Sequence, residues 1–210
     1  MDNYYAILGC GGHARSIADV ILNNDINANF LFFDDNAKAE EYICEQRHPV
    51  LKLANNTEYL KKAEKIFLGI GDNIARKEIA ESLSCDLKCK ISCLIDKNAH
   101  VGFMSEIGKG TFVASFAHIG PETKIGDGSI INTNAIVEHE CCVGDYCHIS
   151  VNSTICGRCH IGNNVFLGAG AVIKDYISIC DNVTIGSGSV VIKDISESGI
   201  YVGNPAKRIK

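Results

Sequence analysis

Two folds are written into this chain of 210 residues. Residues 1–94 predict a small α/β domain with a parallel sheet, and residues 95–210 a parallel β-helix. Two observations predict them. Stepping by six from Ile95, seventeen successive positions through Val191 are Ile, Val or Leu with no gap in register. Ahead of Ile95 that period is absent, and apolar runs of strand length alternate with helical stretches, the pattern of an α/β domain. The change of period near Leu94 sets the boundary.

A helix needs a period near 3.6 and a strand a period of 2. A period of six fits neither and marks a parallel β-helix, in which each short strand is followed by a turn. Four residues after each aliphatic stands a mostly small residue, among them Ala99, Ser105, Thr111, Ala117, Thr123, Ser129, Ala135, Cys141, Cys147, Ser153 and Cys159. One hexapeptide cannot bury its own aliphatic. Stacked coils form a continuous aliphatic column, with the small residue at the tighter inner place.

Hydrophobic residues make up 46% of the chain, enough for a sizeable core. A formal net charge of −5 gives no electrostatic support to a nucleic-acid partner or a membrane surface. There is no long apolar run and no basic-then-apolar leader, so a soluble cytoplasmic protein is expected. Eleven cysteines without a signal peptide imply reduced thiols. Cys156-Gly157-Arg158-Cys159-His160 has the form of a metal or redox C-x-x-C. A second one at zinc spacing is absent, and Cys159 falls on the small-residue column. Packing is therefore the preferred reading of these cysteines.

In the first domain, Tyr4 to Leu8 reads as a buried strand, Gly9 to His13 as a tight turn and Ala14 to Leu22 as a helix. Phe30 to Phe33 reads as a second strand, ending at Asp34-Asp35, and Val50 to Leu53 as a short third. Thr57 to Lys65 reads as a helix capped by Asn56 or Thr57. Ile66 to Ile70 reads as a strand, 74–83 as a helix and 89–95 as extended chain. Gly9-x-Gly11-x-x-Ala14 lies between a strand and a helix, where backbone amides and a helix N-terminus bind phosphate. Asp34 and Asp35 stand where a Rossmann-like fold places its ribose-binding acid. An NAD site is a rival reading, although this domain is short for a full dinucleotide fold and suits one mononucleotide half. A tight turn with no ligand is the third alternative.

Within the repeat, the turn Val137-Glu138-His139-Glu140-Cys141-Cys142 stands out, because carboxylates flank His139. A carboxylate beside an imidazole fixes its tautomer and stabilises the imidazolium formed on proton uptake. A general base needs both. Residues eighteen apart lie on neighbouring coils about 4.8 Å apart, so Gly157 lies beside His139. A residue without a side chain leaves room there for an acyl group, and its N–H is a candidate oxyanion donor. His148 lies one and a half sides round a triangular coil from His139, so the two can meet across an interface between β-helices. His118 and His160 share the repeat phase of His148 and read as surface or interface residues. The spacing of His118, His139 and His148 does not match the zinc ligands of a γ-class carbonic anhydrase, and no metal is expected.

The six-residue pattern resembles the hexapeptide-repeat acyltransferases, whose β-helix is left-handed. The usual crossover preference would argue for the other hand. Ile7-Leu8-Gly9-Cys10-Gly11-Gly12-His13-Ala14-Arg15, Phe33-Asp34-Asp35 and Gly69-Ile70-Gly71-Asp72-Asn73 resemble one branch. It holds nucleotide-4-amino-sugar N-acetyltransferases and sialic acid O-acetyltransferase-like proteins. The resemblance implies a Rossmann-like first domain that binds a nucleotide sugar through Gly11, Gly12, His13, Asp34, Asp35 and Gly71. It implies His139 as base, Glu140 as its orienting acid, and Asn132 and His148 at the substrate. It also implies a Gly157 amide on the acetyl carbonyl, and homotrimers with active sites between subunits. The tail Gly199 to Arg208 resembles that of coenzyme A-dependent members, with Lys174, Lys193, Lys207 and Arg208 as candidates for the phosphates of acetyl-CoA. The expected function is acetyl transfer to the 4-amino group of a UDP-linked 4-amino-4,6-dideoxy sugar for surface glycan biosynthesis. O-acetylation of sialic or a related nonulosonic acid is the alternative, and a non-enzymatic scaffold is a third class.

Overall fold

The computed structural model describes residues 3–38, 42–43 and 48–210, with residues 42, 43 and 48 described by backbone alone. The chain forms two compact units, Met1–Leu94 and Ile95–Lys210.

The first unit contains β1 (Tyr5–Leu8), α1 (Gly12–Asn24), β2 (Phe30–Phe33), β3 (Tyr42–Ile43), β4 (His48–Leu51), α2 (Thr57–Lys62), β5 (Lys65–Leu68), α3 (Asn73–Ser82) and α4 (Cys85–Lys88). The sheet order is β3-β4-β2-β1-β5. β1 pairs in parallel with both β2 and β5, and β2 with β4, while the β3–β4 pair is antiparallel. Ala6, Ile7, Phe32, Phe33 and Ile66 are almost wholly buried, which explains why these short runs are apolar throughout. The third strand ends at Leu51, earlier than expected, and Leu53–Asn55 forms a 3-10 turn. Residues 85–88, for which no element is expected, form a helix, and 89–95 is extended only in part. Ser84 opens the short helix α4, whose one buried side chain is Leu87. Lys90 then donates to the carbonyls of Lys61 and Ala63, and only a bridge from Ile91 to Ile66 is extended before Leu94–Ile95. The single apolar anchor and the lysine tether outweigh any strand preference there.

The second unit is a left-handed parallel β-helix with three sheets of six, five and eight strands. Paired residues are eighteen apart in sequence, as in Val137↔Ile155 and Ile155↔Ile173. Those three aliphatics are fully buried in the central column. The small-residue column has a polar logic as well as a steric one. Thr111 Oγ1 donates to the Gly126 carbonyl at 2.8 Å, and Ser129 Oγ to that of Gly144 at 2.9 Å. The thiols of Cys141 and Cys159 do the same to Cys156 and Lys174, at 3.2 and 3.1 Å. Ser, Thr and Cys can share one column because each satisfies a carbonyl that the coil would otherwise bury unpaired.

From Val101 to Ile185 the residue three after each aliphatic has positive φ, whether or not it is glycine; Glu140, Arg158 and Tyr176 have φ of 58°, 60° and 62°. This left-handed conformation costs a non-glycine residue about 1 kcal/mol or more, and the turn geometry of the coil imposes it. Among the described residues no helix is long and apolar enough to cross a membrane.

Candidate functional site

In the turn after Ile136–Val137, His139 Nδ1 lies 2.9 Å from Glu140 Oε2. The positive φ of Glu140 turns its side chain back beside the imidazole. The opposite edge of the ring lies over Gly157. A Cβ added at Gly157 would stand 2.7 Å from both Cε1 and Nε2 of His139. The imidazole thus occupies volume that only glycine leaves open. The expected neighbour relation across eighteen residues holds, but it is the His139 ring that first uses the space.

The Gly157 N–H has no acceptor among the described residues. At the equivalent turn position one sheet on, the amides of Lys109, Asp127, Asp145 and Asn163 are each capped by an Asp or Asn side chain of the next coil, at 2.7–2.8 Å. That ladder does not continue on the turn that carries His139 and Gly157. An uncapped donor beside an imidazole is suited to a developing oxyanion.

Sequence reasoning passed over Arg158. Its Nε donates to Glu140 Oε2 at 2.9 Å, its Nη1 donates to the Tyr176 hydroxyl, and its guanidinium carbon lies 5.5 Å from the Tyr176 ring centroid. The bond from His139, and then that from Arg158, hold the Glu140 carboxyl below its ordinary range. The signal was in the sequence, since Glu140, Arg158 and Tyr176 are eighteen apart.

Asn132 and His148 are brought together, with Nδ2 and Nε2 3.1 Å apart, and the His148 ring packs edge-on against Phe166. His148 stands on the eight-stranded sheet, whereas His139 follows a strand of the six-stranded one. His118 stacks on His100 with centroids 4.9 Å apart. Among the described residues no group of three His, Cys, Asp or Glu is placed to hold a metal. Cys141 and Cys159 are fully buried. The Cys159 contact and burial push the Cys141 thiol up, and burial pushes up that of Cys156. The Cys141 contact draws the Cys159 thiol down to about 7, but Cys159 is fully buried, so none of the three is placed as a thiolate nucleophile.

In the first unit, Gly9 has φ +106°, and a side chain there would meet the Gly69 carbonyl oxygen at 2.8 Å. Its glycine is structural. Gly11 and Gly12 differ, because a Cβ at either would meet nothing within 4 Å. Gly11 caps α1 without a side-chain hydrogen bond, so open space lies over the helix N-terminus. His13 sits in the first turn, and its Cβ is 3.7 Å from where a side chain at Gly71 would begin. Asp34 accepts from the Cys10 and Asn36 amides at 3.1 and 2.8 Å, and Asp35 from that of Ala54 at 2.9 Å. Both acids therefore fix loops, a role that the sequence did not suggest. Arg76, fully buried, donates to the carbonyls of Ile70 and Gly71 and to Asn73 Oδ1 at 2.8–3.0 Å, and so holds the loop that presents Gly71.

The lysines proposed for phosphates are exposed. Lys174 lies 3.9 Å from Asp175, Lys193 follows the last coil strand and Lys207 lies in Lys207–Arg208. Arg208 pairs with Glu197 at 3.3 Å.

The PglD N-terminal domain family matches residues 5–83, and the bacterial transferase hexapeptide family matches 104–139 and 158–193. The acetyltransferase domain of PglB from Neisseria gonorrhoeae FA1090 is similar over 100% of both chains, at 28% identity and a TM-score of 0.88. The chain belongs to the hexapeptide-repeat sugar acetyltransferases. A second structure of that PglB domain, at TM-score 0.89 and 28% identity over 99% of each chain, is in complex with acetyl coenzyme A. A histidine-to-alanine mutant of GDP-perosamine N-acetyl transferase from Caulobacter crescentus, in complex with CoA and GDP-perosamine, is 26% identical over 99% of this chain and 97% of that one, with a TM-score of 0.86. Among curated proteins, uncharacterized protein L142 of Acanthamoeba polyphaga mimivirus is 34% identical over 112 residues, which span 53% of this acetyltransferase and 21% of L142.

Proposed function

We propose that this acetyltransferase moves an acetyl group from acetyl-CoA to the 4-amino group of a nucleotide-linked 4-amino-4,6-dideoxy sugar. UDP is the nucleotide and surface glycan biosynthesis the setting. One observation carries the chemistry. His139 is held at Nδ1 by Glu140, and its Nε2 lies over Gly157, beside a backbone N–H with no acceptor among the described residues.

The sugar amine attacks the thioester carbonyl while His139 Nε2 takes its proton. Glu140 stabilises the imidazolium, and the Gly157 N–H donates to the tetrahedral oxyanion. Collapse breaks the carbon–sulfur bond, and coenzyme A leaves as the thiol by taking the proton back from His139 Nε2. No acyl-enzyme forms, in keeping with the raised Cys141 and Cys156 thiols.

The open helix N-terminus at Gly11 and Gly12 supports the nucleotide over an acceptor without phosphate, since those amides suit a diphosphate. Gly71 and His13 border the same loops. Asp34 and Asp35 act through the loops that they fix. Asn132 and His148 serve the substrate across a homotrimer interface, and Lys174, Lys193 and Lys207 serve the phosphates of coenzyme A. The protein works in the cytoplasm.

The deciding experiment supplies acetyl-CoA with UDP-, GDP- and dTDP-linked 4-amino sugars and isolates the product. A stable N-acetyl sugar formed fastest from the UDP compound is expected. Turnover confined to the GDP compound would replace the nucleotide assignment, and turnover of free sialic acid alone would replace the reaction.

A further inference from the structure

We propose that Arg158 is a positioning residue for the His139 base and acts through Glu140. The inference rests on the acetyl-transfer reading above. Three dipeptides are stacked on successive coils: His139-Glu140, Gly157-Arg158 and Asp175-Tyr176. Their second members share the left-handed turn conformation, at φ 58°, 60° and 62°, so their side chains leave the helix in one column.

Glu140 alone is poorly suited to hold an imidazole. Its side chain is 41% exposed, and a single bond from Nδ1 competes with water. Arg158 adds a second donor to the same oxygen, Oε2, at 2.9 Å. Arg158 is in turn held from its far side, where the Tyr176 hydroxyl accepts from Nη1 and the ring lies under the guanidinium, 5.5 Å from its central carbon. Three coils thus build one relay, Tyr176 to Arg158 to Glu140 to His139.

The chemical consequence follows from donor counts. An ionised carboxylate only accepts, so Nδ1 carries the ring proton and Nε2 keeps its lone pair over Gly157. Arg158 fixes the direction of the carboxylate. A lysine would supply the charge, but not a planar fork that reaches Glu140 and Tyr176 together.

The test compares R158M, R158K, E140Q and the double variant in the full chain. R158M should lower kcat about tenfold, the scale of a direct coupling, with both KM values within about twofold and an unchanged thermal midpoint. R158K should recover part of that loss. In the E140Q background, R158M should cost nothing further. Losses that multiply in the double variant, or a raised acetyl-CoA KM at unchanged kcat, would overturn the proposal; the latter would make Arg158 an anion contact. The ring 15N signals of His139 give a readout that needs no turnover. Wild type should show the tautomer with bare Nε2, and R158M a mixture. An unchanged tautomer in R158M would also overturn the proposal. Absence of acetyl transfer by wild type with every acceptor would instead sink the acetyl-transfer reading and leave the tautomer result to decide on Arg158.

Discussion

Gly157 lies one coil beyond His139, and the imidazole fills the place of its missing side chain, with Cε1 and Nε2 2.7 Å from where a Cβ would stand. The imidazole and the neighbouring glycine are therefore one packed unit. G157A should push the ring off that position. A displacement of about 1 Å can cost about 10² in rate, so kcat should fall on that scale while thermal stability changes little. Steady-state kinetics with a melting curve check both.

In the proposed mechanism His139 accepts the amine proton. H139A should reduce kcat by about 10²–10⁴ and leave both KM values nearly unchanged. Single-turnover acetyl transfer separates this from a binding defect.

Glu140 links the site to pH. Its folded-state carboxyl is held below the ordinary value of 4.5 by His139 and Arg158, so the unfolded chain takes up the proton first on acidification. The stabilisation is fully present just above 4.5 and is lost as pH falls through the lowered value. Thermal midpoints of wild type and E140Q should therefore differ just above pH 4.5 and converge well below it.

The front loop yields a prediction of opposite sign for fold and function. A Cβ at Gly12 meets no atom within 4 Å, so the stability of G12V should hold. The acceptor KM should rise while that of acetyl-CoA stays constant, as initial rates against each substrate would show.

The cysteine column should behave as packing. Cys147 lies one coil beyond Ser129 and donates to the Gly162 carbonyl as Ser129 does to Gly144. C147S should be tolerated, whereas C147L should overpack the column by about 1–3 kcal/mol. Denaturant unfolding distinguishes them.

The coils were legible because a backbone period forces one aliphatic and one small residue into every turn, so Ile95 to Val191 announce themselves. His139, Glu140 and Gly157 followed from that period by counting eighteen. Arg158 was legible by the same count but was obscured by the Cys156–Cys159 spacing, which drew attention to sulfur. The loop-fixing bonds of Asp34, Asp35 and Arg76 were not legible. Each depends on which amide or carbonyl a turn leaves facing the side chain, and that is settled by three-dimensional contact. Helix α4 escaped for a related reason, since its one buried residue, Leu87, gives no periodic pattern.

The central claim is best tested by following free thiol from acetyl-CoA while a UDP-4-amino-4,6-dideoxy sugar is supplied, with H139A in parallel. The account predicts one thiol released per N-acetylated sugar, and near-silence from H139A. Equal thiol release by wild type and H139A, or release without an acetylated amine, would contradict it.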